Sequence, residues 1–432
     1  LVESGPIGGC IGAGAYADAL GLENLVAFDM GGTTAKCALI EDGRFSVDSV
    51  YYAGGYVQGF PIKSPVIDIV EVGSGGGSIA ALDAQGRLQV GPRSAGSTPG
   101  PVCYGRGGTE PTVTDANLVL GRINPRRFLG GELLLDTASS WHAIRSRIAE
   151  PLGFGGADGL VRMADGIVAL ATVTMAGAIR RISVEHGRDP RDFALFAYGG
   201  GGPLHATALA RELHIPTVIV PPEPGNFSAI GMLLADARID DSTTFTGPLD
   251  DEAVAGMRRV FARLIETARA ALAREFGARE VYFEEFAEMR YRGQRHNIKV
   301  PVSGLADAAS IRRNFEHDYR RRYGHADQRT PAELQALHLS AFARLERPEI
   351  ARLPRPVASG LAEARRPVYF AGSGAMVEAR ILDRYALEPG FAGEGPAVIE
   401  EYGSTTIVMP GDAFEIGALH EIRIDCARAL GA

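Results

Sequence analysis

The run of four glycines at Gly199–Gly202, inside "DFALFAYGGGGPLHATALARELHIPTVIVPP", constrains the fold more than any other feature of this chain. An apolar run of strand length precedes it. A helix from Leu204 to about Leu213 follows, and then a second strand. Strand, tight turn, helix and strand in that order make an α/β unit of parallel strands joined by a right-handed crossover. Consecutive glycines let a ligand approach the backbone closely, and a helix N-terminus favours an anion or a polar ring. The run does not fit GxGxxG: Gly199 and Gly201 match, but Leu204 stands where the third glycine belongs, which disfavours a dinucleotide fold. The competing reading, tight helix–strand packing, accounts for one or two glycines but hardly for four.

The 55 glycines concentrate before Gly131 and again around Gly199. Up to about residue 135, apolar runs such as "LVAFD", "AKCALIED", "IDIVEVG", "SIAALD" and "RLQVG" alternate with glycine turns, and each is about as long as a strand. "IGAGAYADALG" reads as a short helix closed by Gly21. "FDMGGTTAKCALI" lacks the P-loop pattern, because Lys36 lies three residues past Thr33 and a strand rather than a helix follows. The order there is strand, GGTT turn, strand, Asp42-Gly43 turn, strand. The turn amides of Gly31, Gly32, Thr33 and Thr34 can form an anion-binding nest, with the two threonine hydroxyls as further donors. Asp29, at the strand end, can hold Mg²⁺ or orient a nucleophile. A plain hairpin turn with a capping aspartate is the even alternative.

Two more glycine stretches are candidates. "DIVEVGSGGGSIAALD" is another strand–turn–strand, in which Gly75, Gly76, Gly77 and Ser78 are candidate substrate ligands. Asp68 and Glu71, three apart, point to opposite faces of a regular strand, so both cannot enter one site. "GPRSAGSTPGPVCYGRGGTEPTVTDANLVLGRI" is a long loop of the kind that often binds ligands. It carries Arg93 and Arg106, and Asp115 opens a helix as an N-cap or a catalyst. His186 and His205 lie near glycine turns. A structural role is the default for both, and His205, in the first turn of its helix, is the better placed to face a ligand. "RYRGQRH" and "YRRRYGH" read as solvated faces before interfaces.

A length of 432 residues implies two or three domains, and 46% hydrophobic with 22% charged residues is the composition of a globular protein with real cores. The net charge of −8 argues against nucleic acid or an anionic membrane as a partner. Cys10, Cys37, Cys103 and Cys426 form no CxxC pair. They read as buried apolar residues, and a reducing cytoplasm is expected. No basic start precedes an apolar stretch, and the window Ile167–Ile179 is too short to span a bilayer, so it reads as a buried helix. The pattern turns helical from Ser139 to about Glu185. After about Ser242 glycine thins and charge rises, which places a domain boundary near residue 243.

Taken in order, "ESGPIGGCIGA", "FDMGGTTAKCALI", "DIVEVGSGGGSIA", the Gly/Pro loop, "HGRDPRDFALFAYGGGGPLHA" and "PGNFSAIGMLLAD" resemble the hydantoinase A family. The likeness is strong over residues 3 to about 240 and extends more weakly through "MRYRGQ" and "GPAVIEEYGSTTIVMPG". That family includes N-methylhydantoinase A subunits, ATP-dependent 5-oxoprolinases and subunits of acetone and acetophenone carboxylases. The resemblance implies an α/β, actin-like ATPase (RNase H-like) domain over 1–242, with a Gly-rich insertion at about 60–130, followed by a smaller α+β domain over 243–432. It implies ATP with Mg²⁺ (or Mn²⁺) as cofactors. The implied activity is hydrolysis of a cyclic amide of hydantoin or 5-oxoproline type through its phosphorylation, or alternatively carboxylation of a ketone. A hydantoinase B-type subunit is the implied partner. Asp29, Gly31, Gly32, Thr33 and Thr34 match one of the family's two phosphate hairpins, and Gly199–Gly202 with Pro203 match its nucleoside turn. Many relatives carry histidine where Val70 stands, which leaves Glu71 as the substitute for a substrate or metal role. The other hairpin belongs to an N-terminal domain that is not seen here. The chain starts at Leu1 in mid-motif and is expected to be a segment of something longer, carrying half of the ATP cleft, or an inactive fragment that needs the missing domain.

Overall fold

The computed structural model describes residues 4–41, 43–45, 47–48, 51–53, 60–62, 66–350 and 364–427. Asp42, half of the expected second turn, lies outside them. The chain packs as two units: residues 1–46, 67–234 and 348–432 form the first, and residues 47–66 and 235–347 the second.

The first unit is built on a nine-stranded mixed sheet. Strands Asn24–Met30, Ala194–Tyr198 and Thr217–Val220 are neighbours and parallel, with Asn24–Met30 aligned so that Asp29 lies beside Tyr198. This is the α/β unit read from the four-glycine run; its helix spans Gly202–Leu213 and starts two residues earlier than expected. Ala35–Glu41 folds back antiparallel on Asn24–Met30, and Val70–Val72 pairs with its outer edge. Both faces of the central strands are covered, so they are apolar throughout rather than alternating. Leu25 and Ala27 join the core under helix Ser4–Leu20. Val26, Phe28 and Met30 join the larger core with helix Ala157–Ile182. By length and mean hydropathy (1.5) that helix could cross a bilayer, but Leu160, Ile167, Ala171, Met175 and Ile179 are buried in the core.

Helix Ser4–Leu20 begins seven residues before the expected start. Its glycines fit a close crossing with helix Phe227–Leu233: a Cβ on Gly12 would meet the Phe227 ring at 2.8 Å, and one on Gly231 would overlap the Gly8 carbonyl oxygen. The "ESGPIGGCIGA" and "PGNFSAIGM" stretches are thus two halves of one helix contact.

The tail differs from the linear division at 243. Residues 348–432 belong to the first unit. Ile422–Asp425 pairs antiparallel with Thr217–Val220, and Ala413–Ile416 pairs with Ile422–Asp425. A second sheet, from Ala364–Tyr369, Met376–Asp383, Ala397–Glu401 and Ser404–Val408, shares a core with Leu118, Ile123 and Leu204. Composition marks where glycine thins; it carries no signal that later strands return to an earlier sheet.

The second unit is an antiparallel sheet ordered Ala237–Pro248, Ala332–Ala343, Val281–Tyr291, Ile298–Pro301. Helices Asp251–Phe276 and Ala308–Tyr323 share its core through Val254, Phe261, Leu272, Phe315 and Tyr319. Asp250 and Asp307 cap these helices by accepting from Ala253 and Ser310 amides. Arg290 and Arg292 of the first basic cluster both pair with Glu333.

Candidate nucleotide-binding turns

Two glycine turns meet at the C-terminal ends of the parallel strands, where open α/β sheets bind ligands. The first is Gly31–Thr34. Its Gly31 amide donates to the Thr34 carbonyl at 3.1 Å and closes the turn. Gly31, Gly32 and Thr33 are exposed, and the Gly32 and Thr33 amides make no hydrogen bond among the described residues. The second is Gly199–Gly202. Gly201 donates to the Met30 carbonyl at 2.9 Å, and Gly199 to the Pro224 carbonyl at 2.8 Å, so this turn is bonded directly to the strand that carries Asp29. Gly199 has φ +79°, and a Cβ there would overlap the Asp29 carboxylate and lie 2.5 Å from the Met30 carbonyl oxygen. Glycine is therefore required for the two turns to sit this close.

Asp29 is mostly buried. Burial raises its pKa above the ordinary carboxylate range, and the nearby Lys36 charge opposes that rise. Lys36 lies directly across the hairpin from Asp29, and Glu71 directly across the next strand pair from Lys36. Directly opposed residues share a face, so Asp29, Lys36 and Glu71 form one row. The Lys36 Nζ lies 2.9 Å from Glu71 and donates to the Thr34 hydroxyl at 3.0 Å. Lys36 is the residue that motif reading passed over: it was weighed only as a misplaced P-loop lysine. Its alternation with Asp29 across a two-stranded turn was the available signal.

The four amides of Gly75–Ser78 are all committed to hydrogen bonds. Gly76 and Gly77 donate to the carbonyls of Gly31 (3.1 Å) and Gly32 (2.6 Å), Gly75 donates to the Ser78 hydroxyl (2.8 Å), and the Ser78 amide donates to the Gly75 carbonyl (3.0 Å). A Cβ on Gly75 would lie 2.7 Å from the backbone of Gly32 and Thr33. Gly75–Gly77 brace the hairpin by backbone contact. The Gly76 carbonyl in turn accepts from the amide and hydroxyl of Thr114, each at 2.8 Å.

Asp115 is not placed for catalysis. It is fully buried and accepts from the amides of Val102, Cys103 and Thr112 and the hydroxyls of Thr112 and Ser140. Thr112, not Asp115, is the N-cap, and Asp115 closes the capping box three residues on. Its carboxylate organises the Gly/Pro loop. In that loop Arg93 pairs with Glu110 and Arg106 lies over the Tyr104 ring, both within the loop itself. His205 faces the interior: it is buried, 3.4 Å from the Asn117 amide, and burial pushes its pKa down to about 3, with Arg122 adding to the effect. His186 is exposed, and its carbonyl accepts from Arg188. All four cysteines are buried and unpaired.

The returning tail backs the four-glycine turn. Ser404 donates to the Gly200 carbonyl at 3.2 Å, and the Tyr385 hydroxyl accepts from the Tyr402 amide and donates to Glu223. A small cleft opens beside Gly200, lined by Ile123, Phe128, Leu129, Leu204 and residues 400–405. Gly200 and Ser404 are two hundred residues apart, beyond the reach of any local sequence pattern.

The exposed, unbonded amides of the hairpin and the glycine turn beside Asp29 suit a phosphate-bearing ligand. The Asp29 carboxylate lies against Gly199 of the second turn. Among the described residues no three His, Cys, Asp or Glu side chains cluster as a metal site.

The profile described as Hydantoinase/oxoprolinase matches residues 1–241, and that of the Hydantoinase/oxoprolinase C-terminal domain matches residues 249–424. Caprolactamase subunit alpha of Pseudomonas jessenii is 37% identical over 422 residues, covering 95% of this chain and 59% of that protein. The acetophenone carboxylase gamma subunit of Aromatoleum aromaticum is 34% identical over 435 residues, covering 96% and 58%. The crystal structure of the ATP-dependent caprolactamase from Pseudomonas jessenii superposes with a TM-score of 0.83 at 36% identity, covering 98% of this chain and 62% of that one. The chain thus spans about three-fifths of the length of the relatives it matches. It belongs to the hydantoinase/oxoprolinase family.

Proposed function

We propose that this chain is the ATP-binding part of an ATP-dependent cyclic-amide hydrolase. The phosphates rest on Gly31–Thr34, the nucleoside lies along Gly199–Gly202 and Pro203, and Asp29 holds the nucleotide's Mg²⁺. The fold, on this reading, is half of an actin-like ATPase. An N-terminal domain of the same family supplies the second phosphate hairpin, and a B-type subunit completes the enzyme. The observation that carries the reading is the pair of exposed, unbonded amides at Gly32 and Thr33, on a turn bonded through Met30 and Gly201 to the glycine turn beside Asp29.

Amide oxygen is a poor leaving group. Transfer of the terminal phosphoryl group to that oxygen, with ADP departing, makes it a good one. Water then adds to the activated amide carbon, the ring C–N bond breaks as the nitrogen takes up a proton, and the acyl phosphate that results is hydrolysed by a second water, releasing phosphate. Catalysis in such a step is mainly positioning and charge stabilisation, which fixed backbone amides and Lys36 can supply. Ketone carboxylation is the second reading, supported by the acetophenone carboxylase likeness; the higher identity to the caprolactamase subunit favours the lactam. The test is ADP release by the assembled enzyme. A lactam, 5-oxoproline or hydantoin is expected to stimulate it and a ketone with bicarbonate is not; the reverse result selects the carboxylase. Asp29→Ala is expected to lower turnover by about 10²-fold or more, and unchanged turnover would remove Asp29 from the site.

A further inference from the structure

Glu71 is half-exposed, stands in no other described polar contact, and meets Lys36 at 2.9 Å. Lys36 is itself tied to the Thr34 hydroxyl on the rim of the hairpin. Two of the three ammonium donors are therefore engaged, and the third is uncommitted among the described residues. The strand that carries Glu71 is held against the hairpin by the Lys36–Glu71 and Ala35–Val72 pairings, and the loop that follows is bonded to it at Gly31 and Gly32. The distance between Glu71 and the turn is thus fixed by backbone, not by a flexible contact.

We propose that Lys36 and Glu71 form a charge-compensated pair at the phosphate hairpin: Lys36 takes the charge of the bound phosphates, and Glu71 positions and partly neutralises it, weakening the hold on the anion. This rests on the hairpin reading above and changes the role of Glu71 from substrate or metal ligand to positioning residue. The physical reason is the row itself. An anion on the Gly32 and Thr33 amides comes within reach of a cation whose other partner is a fixed carboxylate, so the cation is shared. A site with Lys36 alone would hold the ADP product more tightly; the paired carboxylate favours its release.

The test is calorimetric titration of the full chain with metal-free inorganic tripolyphosphate at low and high salt. Lys36→Met is expected to weaken binding roughly tenfold or more, and Lys36→Arg, which keeps the ion pair and the charge, to restore most of it. Glu71→Gln is expected to tighten binding roughly threefold at low salt, with the gain fading at high salt. Wild-type affinity in Lys36→Met would overturn the role of Lys36. Weaker binding in Glu71→Gln, or a raised Mg²⁺ requirement for ATP, would make Glu71 a ligand instead. A wild-type chain that binds neither tripolyphosphate nor ATP, alone or with the N-terminal domain added, fails the hairpin reading itself, which is a distinct result.

Discussion

Asp115 and Asp29 show how the same side chain takes opposite roles according to what surrounds it. Asp29 sits at a strand end beside two turns with free amides; Asp115 has five donors converging on it in a buried loop. Removing the Asp115 carboxylate strands those donors away from water. Asp115→Ala is therefore expected to lower stability by about 3 kcal/mol, read as a shift of the urea midpoint with an unchanged slope; a shift below about 1 kcal/mol would contradict the organising role. Glu401 gives a pH signature. Burial raises its pKa from 4.5 to about 8, Glu223 adds to the rise, and Arg384 opposes it. The folded state keeps the proton that the unfolded chain loses. Its contribution is full below about pH 4.5 and falls as pH rises, until it is gone above about 8. Relative to Glu401→Gln, the wild type should lose up to about 1.4 kcal/mol of stability per pH unit across that window. Parallel pH profiles for the two proteins would refute it.

At the scale of elements, tertiary contact decides what local pattern leaves open. The hairpin at Asn24–Glu41 and the strand–glycine–helix–strand unit were legible, because apolar runs of strand length and glycine turns are local signals. That Gly75–Gly77 would brace the hairpin was not: three glycines look the same whether a ligand or another backbone approaches them, and only the Gly32–Thr33 backbone 2.7 Å from a Gly75 Cβ distinguishes the cases. The same holds for helix Ser4–Leu20: the sequence reading starts it at Ile11, whereas the helix begins at Ser4 and its glycines pack against Phe227–Leu233. Gly231→Ala places a methyl group against the Gly8 carbonyl and is expected to cost roughly 1–3 kcal/mol as a fall in melting temperature. An unchanged melting temperature would show that the crossing can open freely.

The composition change near residue 243 falls close to the start of the second unit at 235 and to the boundary between the two family matches at 241–249, but it does not mark the tail's return to the first unit. Ordered motifs identified the family over the first 240 residues, since each motif is short and local. The return of residues 348–432 to the first unit rests on pairing between strands two hundred residues apart, which no window of sequence contains. A chain ending at residue 241 would leave Thr217–Val220 without Ile422–Asp425 and Gly200 without Ser404. It is expected to lose cooperative unfolding, measured by near-ultraviolet circular dichroism against urea; a sharp, native-like transition would contradict the two-segment architecture.

The central claim is that the Gly31–Thr34 turn receives phosphate through its free amides. Amide hydrogen exchange of the full chain, with and without Mg²⁺–ATP, tests it at the atoms concerned. Gly32 and Thr33 are expected to exchange freely in the ligand-free protein and to slow by roughly tenfold or more on ATP binding. Gly76 and Gly77, already bonded to the hairpin, are predicted to change little. ATP that binds while Gly32 and Thr33 still exchange at the ligand-free rate would contradict the account.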